Sequence, residues 1–420
     1  MTTTARGARR DLGWDVVTLL SLAVFCNYVD RGNLATAAPV MKDQLHLSPE
    51  QLGVMLSAFF WTYTPCQIAA GLLIERINPY RTLGLGLAVW SGATFLMGLA
   101  GGFTSLIGLR LFMGLGESAA FPAISTILAR RLSAERLGRA NALTSLGVSL
   151  GPAFGTFFGG LVLSRWGWRL SFIGFGLISA LWLAPWMLAT RHETRSIKGE
   201  DFAAGPAFRE ILGRRAAWGV GLGHFSANYG AYFVLSWLPL YLVKVRGFSL
   251  TAMAQEGGLI YLAYGASTWL FGWSTDRLIA RGFSGNLVHK ANAAVSHVVV
   301  AAGLMACAIF PSQGALPGLW LAGIGMGVNA GGKFAMGQIL AGARAAPRWI
   351  SLQNLAGNVA GMVGPAFTGL LIEVLGGFTA AFVVASLVSL AGALAWAVLT
   401  PKIEALDWSP APREAAIPSH

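Results

Sequence analysis

Charge is what this sequence has least of. Of its 420 residues only 11% are charged, against about 25% in an ordinary soluble protein. A soluble domain of this length needs far more charge to cover its surface. Cysteine is scarce too: Cys26, Cys66 and Cys307 all fall inside apolar runs. That excludes a secreted disulfide scaffold, and the spacing suits packing residues rather than metal ligands. No zinc spacing, nucleophile motif or phosphate-cradling loop is present, and the polar stretches are too short to hold an active site. An enzyme is therefore not expected, nor a cofactor or a metal. Acidic residues number 18 against 30 Lys and Arg, for a net charge of +12. In a soluble chain that excess suggests nucleic acid. Here it gathers in the short loops between apolar runs, as membrane proteins arrange it, so no nucleic-acid partner is expected.

What the sequence does have is apolar length: 55% of its residues are hydrophobic. The pattern predicts an all-α membrane protein of twelve spans: 15–39, 51–74, 82–101, 104–129, 138–163, 169–190, 216–243, 252–275, 288–310, 315–340, 347–373 and 378–400. Residues 15–39 read as a retained first span, not a removed signal peptide. The longest polar interruption, 191–215, divides the chain into six-helix bundles at 1–190 and 216–403, with a tail at 404–420. Charges at span margins are counted with the adjoining loop. On that basis 22 of the 30 Lys and Arg lie on the side of both termini and 5 on the other, with Arg31, Arg110 and Lys333 inside spans. The asymmetry predicts cytoplasmic termini in a bacterial inner membrane. The 54 glycines suit helices whose backbones approach closely.

The halves repeat each other. After span two the chain reads Gly71-Leu-Leu-Ile-Glu75-Arg76 with Arg81 following; after span eight it reads Gly272-Trp-Ser-Thr-Asp276-Arg277 with Arg281 following. The offset from Gly71 to Gly272 is 201 residues. Such parallel repeats are a transporter device that puts the substrate site between the halves. The eight residues named are expected to form a cytoplasmic gate of breakable charge contacts.

The paired loops resemble the major facilitator superfamily's motif between helices two and three and between eight and nine. Glu75 stands where that motif has Asp, and Asn78 near its usual Gly. Asn tolerates a left-handed backbone, so the change is mild. Further residues resemble one branch, the anion:cation symporters: Asn27-Tyr28-Val-Asp30-Arg31, Thr62-Tyr63-x3-Gln67, Arg110-x6-Glu117 and Asn354-x2-Gly357-Asn358-x2-Gly361. The resemblance implies a twelve-helix major facilitator fold. It also implies proton coupling by the matching acids, Asp30 and Glu117, and an anionic substrate at Arg110.

Charge cost leads to a similar place. A charged side chain at the middle of a spanning helix costs roughly 2.5–3.5 kcal/mol and should face a cavity or a partner. Asp30 and Arg31 are neighbours about 100° apart on one helix, so they do not face each other. Asn27 lies one turn before both. Arg110 and Glu117 share a face with about 10.5 Å of rise between them, too far for a tight pair. Gly114 lies between them and is expected to leave room for a ligand. A carboxylate beside Arg110 fits, since a guanidinium binds carboxylate through two parallel hydrogen bonds. The alternative is a structural bridge from Arg110 to Asp30 or Glu117. Glu117 is expected as the principal proton carrier and Asp30 as a second site or relay. Tyr28, Arg31, Tyr63 and Gln67 complete the first half's candidate lining.

The second half has little charge but polar stripes. His224, Asn228 and Tyr232 recur every four residues on span seven. Tyr261 and Tyr264 lie on span eight, Asn329 and Lys333 on span ten, and Asn354 and Asn358 on span eleven. Hydroxyls and amides suit a hydroxylated substrate such as a sugar acid; interhelical hydrogen bonding is the other reading. Lys333 is either a second anion contact or a snorkelling surface group.

Span five contains Gly147-x3-Gly151-Pro152-x2-Gly155, which resembles the glycine-proline motif of proton-coupled drug antiporters. Close helix packing is the competing explanation, and a cation exporter has no use for Arg110. A non-transporting sensor is a third reading, weakened by a tail of only 20 residues from Pro401 to His420. The best-supported expectation is a secondary transporter, functional as a monomer in lipid. It would import a small organic anion with protons, sodium being the alternative coupling ion.

Overall fold

The computed structural model describes residues 12–76, 78–132, 134–191, 206–310 and 314–408. The surroundings of Gly71 and the side chains of Glu75 and Arg76 lie outside the described residues, as does most of the 191–215 connection. Among the described residues the chain is helical with no strand. The helices are α1 (Trp14–Gln44), α2 (Pro49–Arg76), α3 (Pro79–Met97), α4 (Phe103–Ser118), α5 (Ala120–Arg131), α6 (Ala134–Leu181) and α7 (Leu183–Thr190). After the connection come α8 (Phe208–Leu212), α9 (Arg215–Leu240), α10 (Leu250–Ala280), α11 (Gly285–Ile309), α12 (Ala315–Val328), α13 (Gly332–Leu375) and α14 (Thr379–Leu394). Tyr241–Val245 and Ala395–Leu399 extend α9 and α14 as π-helix.

The helix ends follow from local chemistry. Gly167 at φ 80° ends span five inside α6, and Gly342 at φ 63° ends span ten inside α13; only glycine takes that backbone cheaply. Span four breaks at Ala119 because Pro122 has no N–H to offer the turn before it. Span ten breaks at Asn329–Gly331, between α12 and α13, where the continuous span 315–340 was expected. Asn78 is not left-handed: at φ −59° its side chain accepts from the Tyr80 N–H at 2.9 Å and caps α3, with Pro79 at the first helical position. Counted through these breaks, the described helices supply the twelve spans. Among the described residues five stretches are long and apolar enough to cross a membrane on length and composition alone: Phe103–Leu128, Arg139–Thr190, Gly285–Ile309, Ala345–Leu375 and Thr379–Leu399. The others, α1 above all, carry polar groups turned inward. On α4, Phe112 and Leu115 are exposed while Arg110 and Glu117 are buried on the other side.

The first half packs α1 against α6 and α2 against α4; the second packs α9 against α13 and α11 against α12 and α14. The halves meet chiefly along two seams, α2 with α13 and α6 with α10, and α1 also touches α9. Glycine sets the approach. A Cβ on Gly53 would lie 2.4 Å from the Pro365 carbonyl oxygen, and one on Gly369 would lie 2.4 Å from that of Pro49. The α2–α13 seam is also stitched by hydrogen bonds in antiparallel register. Glu50 N–H donates to Glu373 Oε2 (2.8 Å), Ala366 N–H to Ser57 Oγ (3.0 Å) and Trp61 Nε1–H to the Met362 carbonyl (3.2 Å). Lys244 and Asp43 pair across the same side. All of these lie toward the end of the bundle away from the termini. The halves are therefore closed on that side, and among the described residues no inter-half hydrogen bond lies nearer the termini than Gln67.

Gly53→Ala forces two backbones apart, a strain of about 1–3 kcal/mol, and should lower the melting temperature in detergent. Gly92→Ala, where a Cβ meets nothing within 4 Å, should leave it unchanged or raise it. Equal effects from the two would show that the seam is not close-packed.

Candidate functional site

α1 carries the central charge pair. Arg31 donates through Nη2 (3.0 Å) and Nε (3.3 Å) to a single oxygen, Oε2, of Glu117 on α4. Both residues are buried, Glu117 completely. Among the described residues the other carboxylate oxygen, Oε1, has no hydrogen-bond partner. The Arg31 guanidinium carbon lies 4.7 Å from the ring centres of both Tyr28 and Phe59, 4.9 Å from Tyr63 and 5.9 Å from Phe60. The rings form an aromatic cage, and a desolvated cation over such a face gains about 2 kcal/mol. Helical spacing builds it: Tyr28 is three before Arg31, and Phe59 and Tyr63 stack at 4.8 Å one turn apart on α2.

Asp30 turns away from Arg31, as the neighbour geometry required. It accepts from Thr94 Oγ1 on α3 at 3.3 Å, and its Oδ1 has no partner among the described residues. Asn27 is buried on the same face of α1.

Arg110 departs from the expectation. Neither Glu117 nor Asp30 pairs with it among the described residues; Arg31 takes Glu117 instead. Arg110 donates to the carbonyls of Met55 (3.3 Å) and Leu56 (3.2 Å), contacts Met113 Sδ at 3.4 Å and lies 4.9 Å from the Phe59 ring. It thus clasps α2 and supports the ring that Arg31 also faces. Gly114 does not leave room for a ligand either. A Cβ there would lie 2.2 Å from the Phe59 carbonyl oxygen and 2.4 Å from Thr62 Oγ1, so the space belongs to α2. The span-five glycines serve the same purpose against α1: a Cβ on Gly151 would lie 2.5 Å from that of Tyr28, and one on Gly155 2.3 Å from the Val29 carbonyl oxygen. The glycine-proline stretch is accounted for by packing.

The second half closes the site with amides and a phenol. Gln67 Oε1 accepts from Asn354 Nδ2 (3.1 Å) and Asn358 Nδ2 (3.2 Å), joining α2 to α13. Tyr232 donates to Asn358 Oδ1 at 3.0 Å, and its ring lies 4.6 Å from Phe60 of the cage. Gly357 and Gly361 explain their own spacing. A Cβ on Gly361 would lie 2.6 Å from the Phe60 ring, and one on Gly357 2.8 Å from His224 and 2.9 Å from Asn228. Lys333 donates to Asn228 Oδ1 at 3.0 Å, and Tyr264 and Asn329 border the same cavity as Lys333. Tyr261 is buried apart from that cavity's lining, its hydroxyl without a partner among the described residues. Of the loop candidates, Arg81, Gly272, Asp276, Arg277 and Arg281 are exposed. Arg277 lies over the Trp273 ring at 5.1 Å, and among the described residues none of the second copy's charges forms an ion pair.

Sequence reasoning missed Phe59 and Phe60. The available signal was their position: Phe59 is one turn before Tyr63, on the face already assigned to the site.

A family model described as Major Facilitator Superfamily matches residues 20–347. The chain is 30% identical to the probable anion transporter 4 of chloroplasts from Oryza sativa subsp. japonica, over 94% of this chain and 69% of that protein. It is 27% identical to the D-galactonate transporter of Escherichia coli O6:H1, over 95% of this chain and 97% of that one. Its fold is similar to the crystal structure of a bacterial homolog to the human lysosomal transporter Spinster in an inward-facing, occupied conformation. The TM-score is 0.73 at 20% identity, covering 92% of this chain and 94% of that one. With twelve spans among the described residues and a family model matched over most of its length, the chain belongs to the major facilitator superfamily and is a multi-pass membrane transporter, not an enzyme.

Proposed function

We propose that the protein imports a small organic anion, a sugar acid or related carboxylate, in symport with protons, by alternating access in a bacterial inner membrane. The observation that carries this reading is the Arg31–Glu117 pair, buried within an aromatic cage and bordered by hydrogen-bonding groups from the other half. The similarity to an anion transporter and a galactonate transporter supports the substrate class. The excess of Lys and Arg on the terminal side supports cytoplasmic termini, and the closed seam on the opposite side then corresponds to an inward-facing state.

The cycle turns on what neutralises Arg31. With the outer side open, a proton reaches Glu117 at Oε1, the oxygen with no partner. The carboxyl loses its charge and its hold on Arg31. A guanidinium in a cage then takes the substrate carboxylate through two parallel bonds. Gln67, Tyr232, Asn354 and Asn358 exchange their mutual bonds for bonds to substrate hydroxyls. The bundles 1–190 and 216–403 rock about the site, and the α2–α13 seam with the Asp43–Lys244 pair closes behind the cargo. On the inner side Glu117 releases its proton and reclaims Arg31, which expels the anion. Asp30 supplies a second protonation site. Arg110 holds α2 and Phe59 in position, so its contribution to binding passes through Arg31's cage. The paired loops Gly71–Arg81 and Gly272–Arg281 join when the inner side closes.

Three outcomes are expected in proteoliposomes with an imposed pH gradient and no sodium. The wild-type protein should accumulate sugar acids; accumulation that requires sodium would replace the proton as coupling ion. Glu117→Gln should keep exchange of internal for external substrate and lose uphill accumulation, and full uphill uptake by that variant would remove Glu117 from coupling. Arg31→Ala should weaken carboxylate binding at least tenfold by calorimetry, about 1.4 kcal/mol. Unchanged affinity would end its role as the anion contact.

A further inference from the structure

We propose that the cavity bounded by Tyr264, His297, Asn329 and Lys333 is a second anion subsite, and that the preferred cargo therefore carries two anionic groups. The inference rests on the reading of Arg31 as contact for the first.

The charge inventory is the starting point. In the first half the buried charges balance: Arg31 and Arg110 against Asp30 and Glu117. In the second half Lys333 stands at the start of α13, half-buried between the helices, and among the described residues no carboxylate pairs with it. Its ammonium has one hydrogen bond, to the neutral Asn228 amide at 3.0 Å, and lies 5.6 Å from the Phe334 ring. An ammonium has three donors, and among the described residues only one of them is used here. This one is held in place without a counter-ion.

Beside it is space of the right kind. Lys333 borders a cavity of about 30 Å³ whose lining includes Ser226, Tyr264, His297, Asn329 and Ser389. Ser226, Tyr264 and the Lys333 ammonium bring donors to its border, the Ser389 hydroxyl being spent on the His297 carbonyl, and among the described residues no carboxylate lines it. Asn329, 5% exposed, has its Oδ1 without a partner among the described residues. Asn329 and Lys333 flank the break in span ten one turn apart, the Lys333 N–H donating to the Asn329 carbonyl at 3.2 Å, and both border this space. A cavity needs about 10–15 Å³ on this measure to hold one water. The space therefore admits a carboxylate or sulfonate head group, not a whole sugar acid.

The pocket also adjoins the first site. Tyr232, whose ring lies 4.6 Å from Phe60 of the cage, bonds Asn358 at 3.0 Å. Asn228, the partner of Lys333, is one turn from Tyr232. Polar side chains thus run from Tyr232, beside the ring cage around Arg31, through Asn228 to Lys333. A cargo with an anionic group at each end bridges the bundles and neutralises both cations. A monoanion leaves Lys333 uncompensated.

The test uses purified full-length protein and matched acids on the same carbon skeletons: D-galactonate with D-galactarate, and butyrate with succinate. Calorimetry should show the two-headed acid of a pair binding at least tenfold more tightly. Lys333→Gln should erase that preference by weakening the diacid, and Lys333→Arg should retain it. Equal affinities within both pairs, or a preference that survives Lys333→Gln, would overturn the inference while leaving the Arg31 reading intact. If chloride tightens monoacid binding in the wild type but not in Lys333→Gln, the pocket takes a free anion and the two-headed cargo is wrong. Binding of no acid at all would remove the carboxylate reading, and this inference with it.

Discussion

A guanidinium inside a protein bundle in a lipid bilayer must always have something to neutralise it, and the structure is organised around meeting that demand for Arg31. Removing one partner of a buried ion pair costs roughly 3–5 kcal/mol, because the other charge is left stranded. Glu117 meets the demand in this conformation with one oxygen, and four rings lower the cost of holding the cation away from water. The rest of the first half serves this arrangement. Arg110 pins α2 through two backbone carbonyls, so that Phe59 and Tyr63 keep their distance from Arg31. Thr94 draws Asp30 to the far side of α1, which keeps a second acid from competing for the same cation.

Glycine is the other constraint. The cage exists only because α2 reaches α4 at Gly114, α1 reaches α6 at Gly151 and Gly155, and Phe60 finds space at Gly361. At each of these positions a single Cβ would fall well inside contact distance of a neighbour. Apolar surface offers little drive for helices to associate in lipid, so such backbone approaches carry much of the packing. The residues that bring the halves together at the closed side are thus of the same kind as those that shape the site. Closing the seam and building the cage are one packing problem, in which motion along α2–α13 alters the surroundings of Phe60 and Gln67 together.

The twelve spans, the repeat and the buried charges were legible because each leaves a mark in one dimension: apolar length, a recurring offset, or a charge where hydrocarbon should be. Asp30, Arg31 and Glu117 were singled out by the resemblance and by charge cost together. Pairing was not legible. Arg110 and Arg31 are equally conspicuous in sequence, and which of them meets Glu117 depends on how α1 and α4 are rotated against each other. Gly114 was misread for the same reason: a missing side chain on a helix face says that something approaches, not whether it is ligand or backbone. Asn78 was read as tolerating the left-handed backbone of the Gly it replaces, whereas it caps α3 ahead of Pro79 with an ordinary backbone. The break in span ten was signalled by Asn329-Ala-Gly331-Gly332, but four small or polar residues in an apolar run compete with the hydropathy that reads straight through them.

The same stranded-charge penalty supplies the coupling logic. Under the proposed cycle, Arg31 has two available counter-ions, the ionised Glu117 and the cargo carboxylate, and its cage has room for one at a time. A carrier that has taken a proton but no anion leaves the guanidinium uncompensated at roughly 3–5 kcal/mol, a few hundredfold or more in population, so the protonated empty form crosses rarely. A carrier holding the anion beside an ionised Glu117 sets two negative charges against one cation in the same dry space and is disfavoured likewise. Only the states with Arg31 neutralised once are cheap: deprotonated and empty, or protonated and loaded. Strict exchange between those two is what couples cargo to protons, and it requires no gate that senses both ligands. One arginine, boxed in by aromatic rings, makes each state in which it is paired the wrong number of times too costly to move.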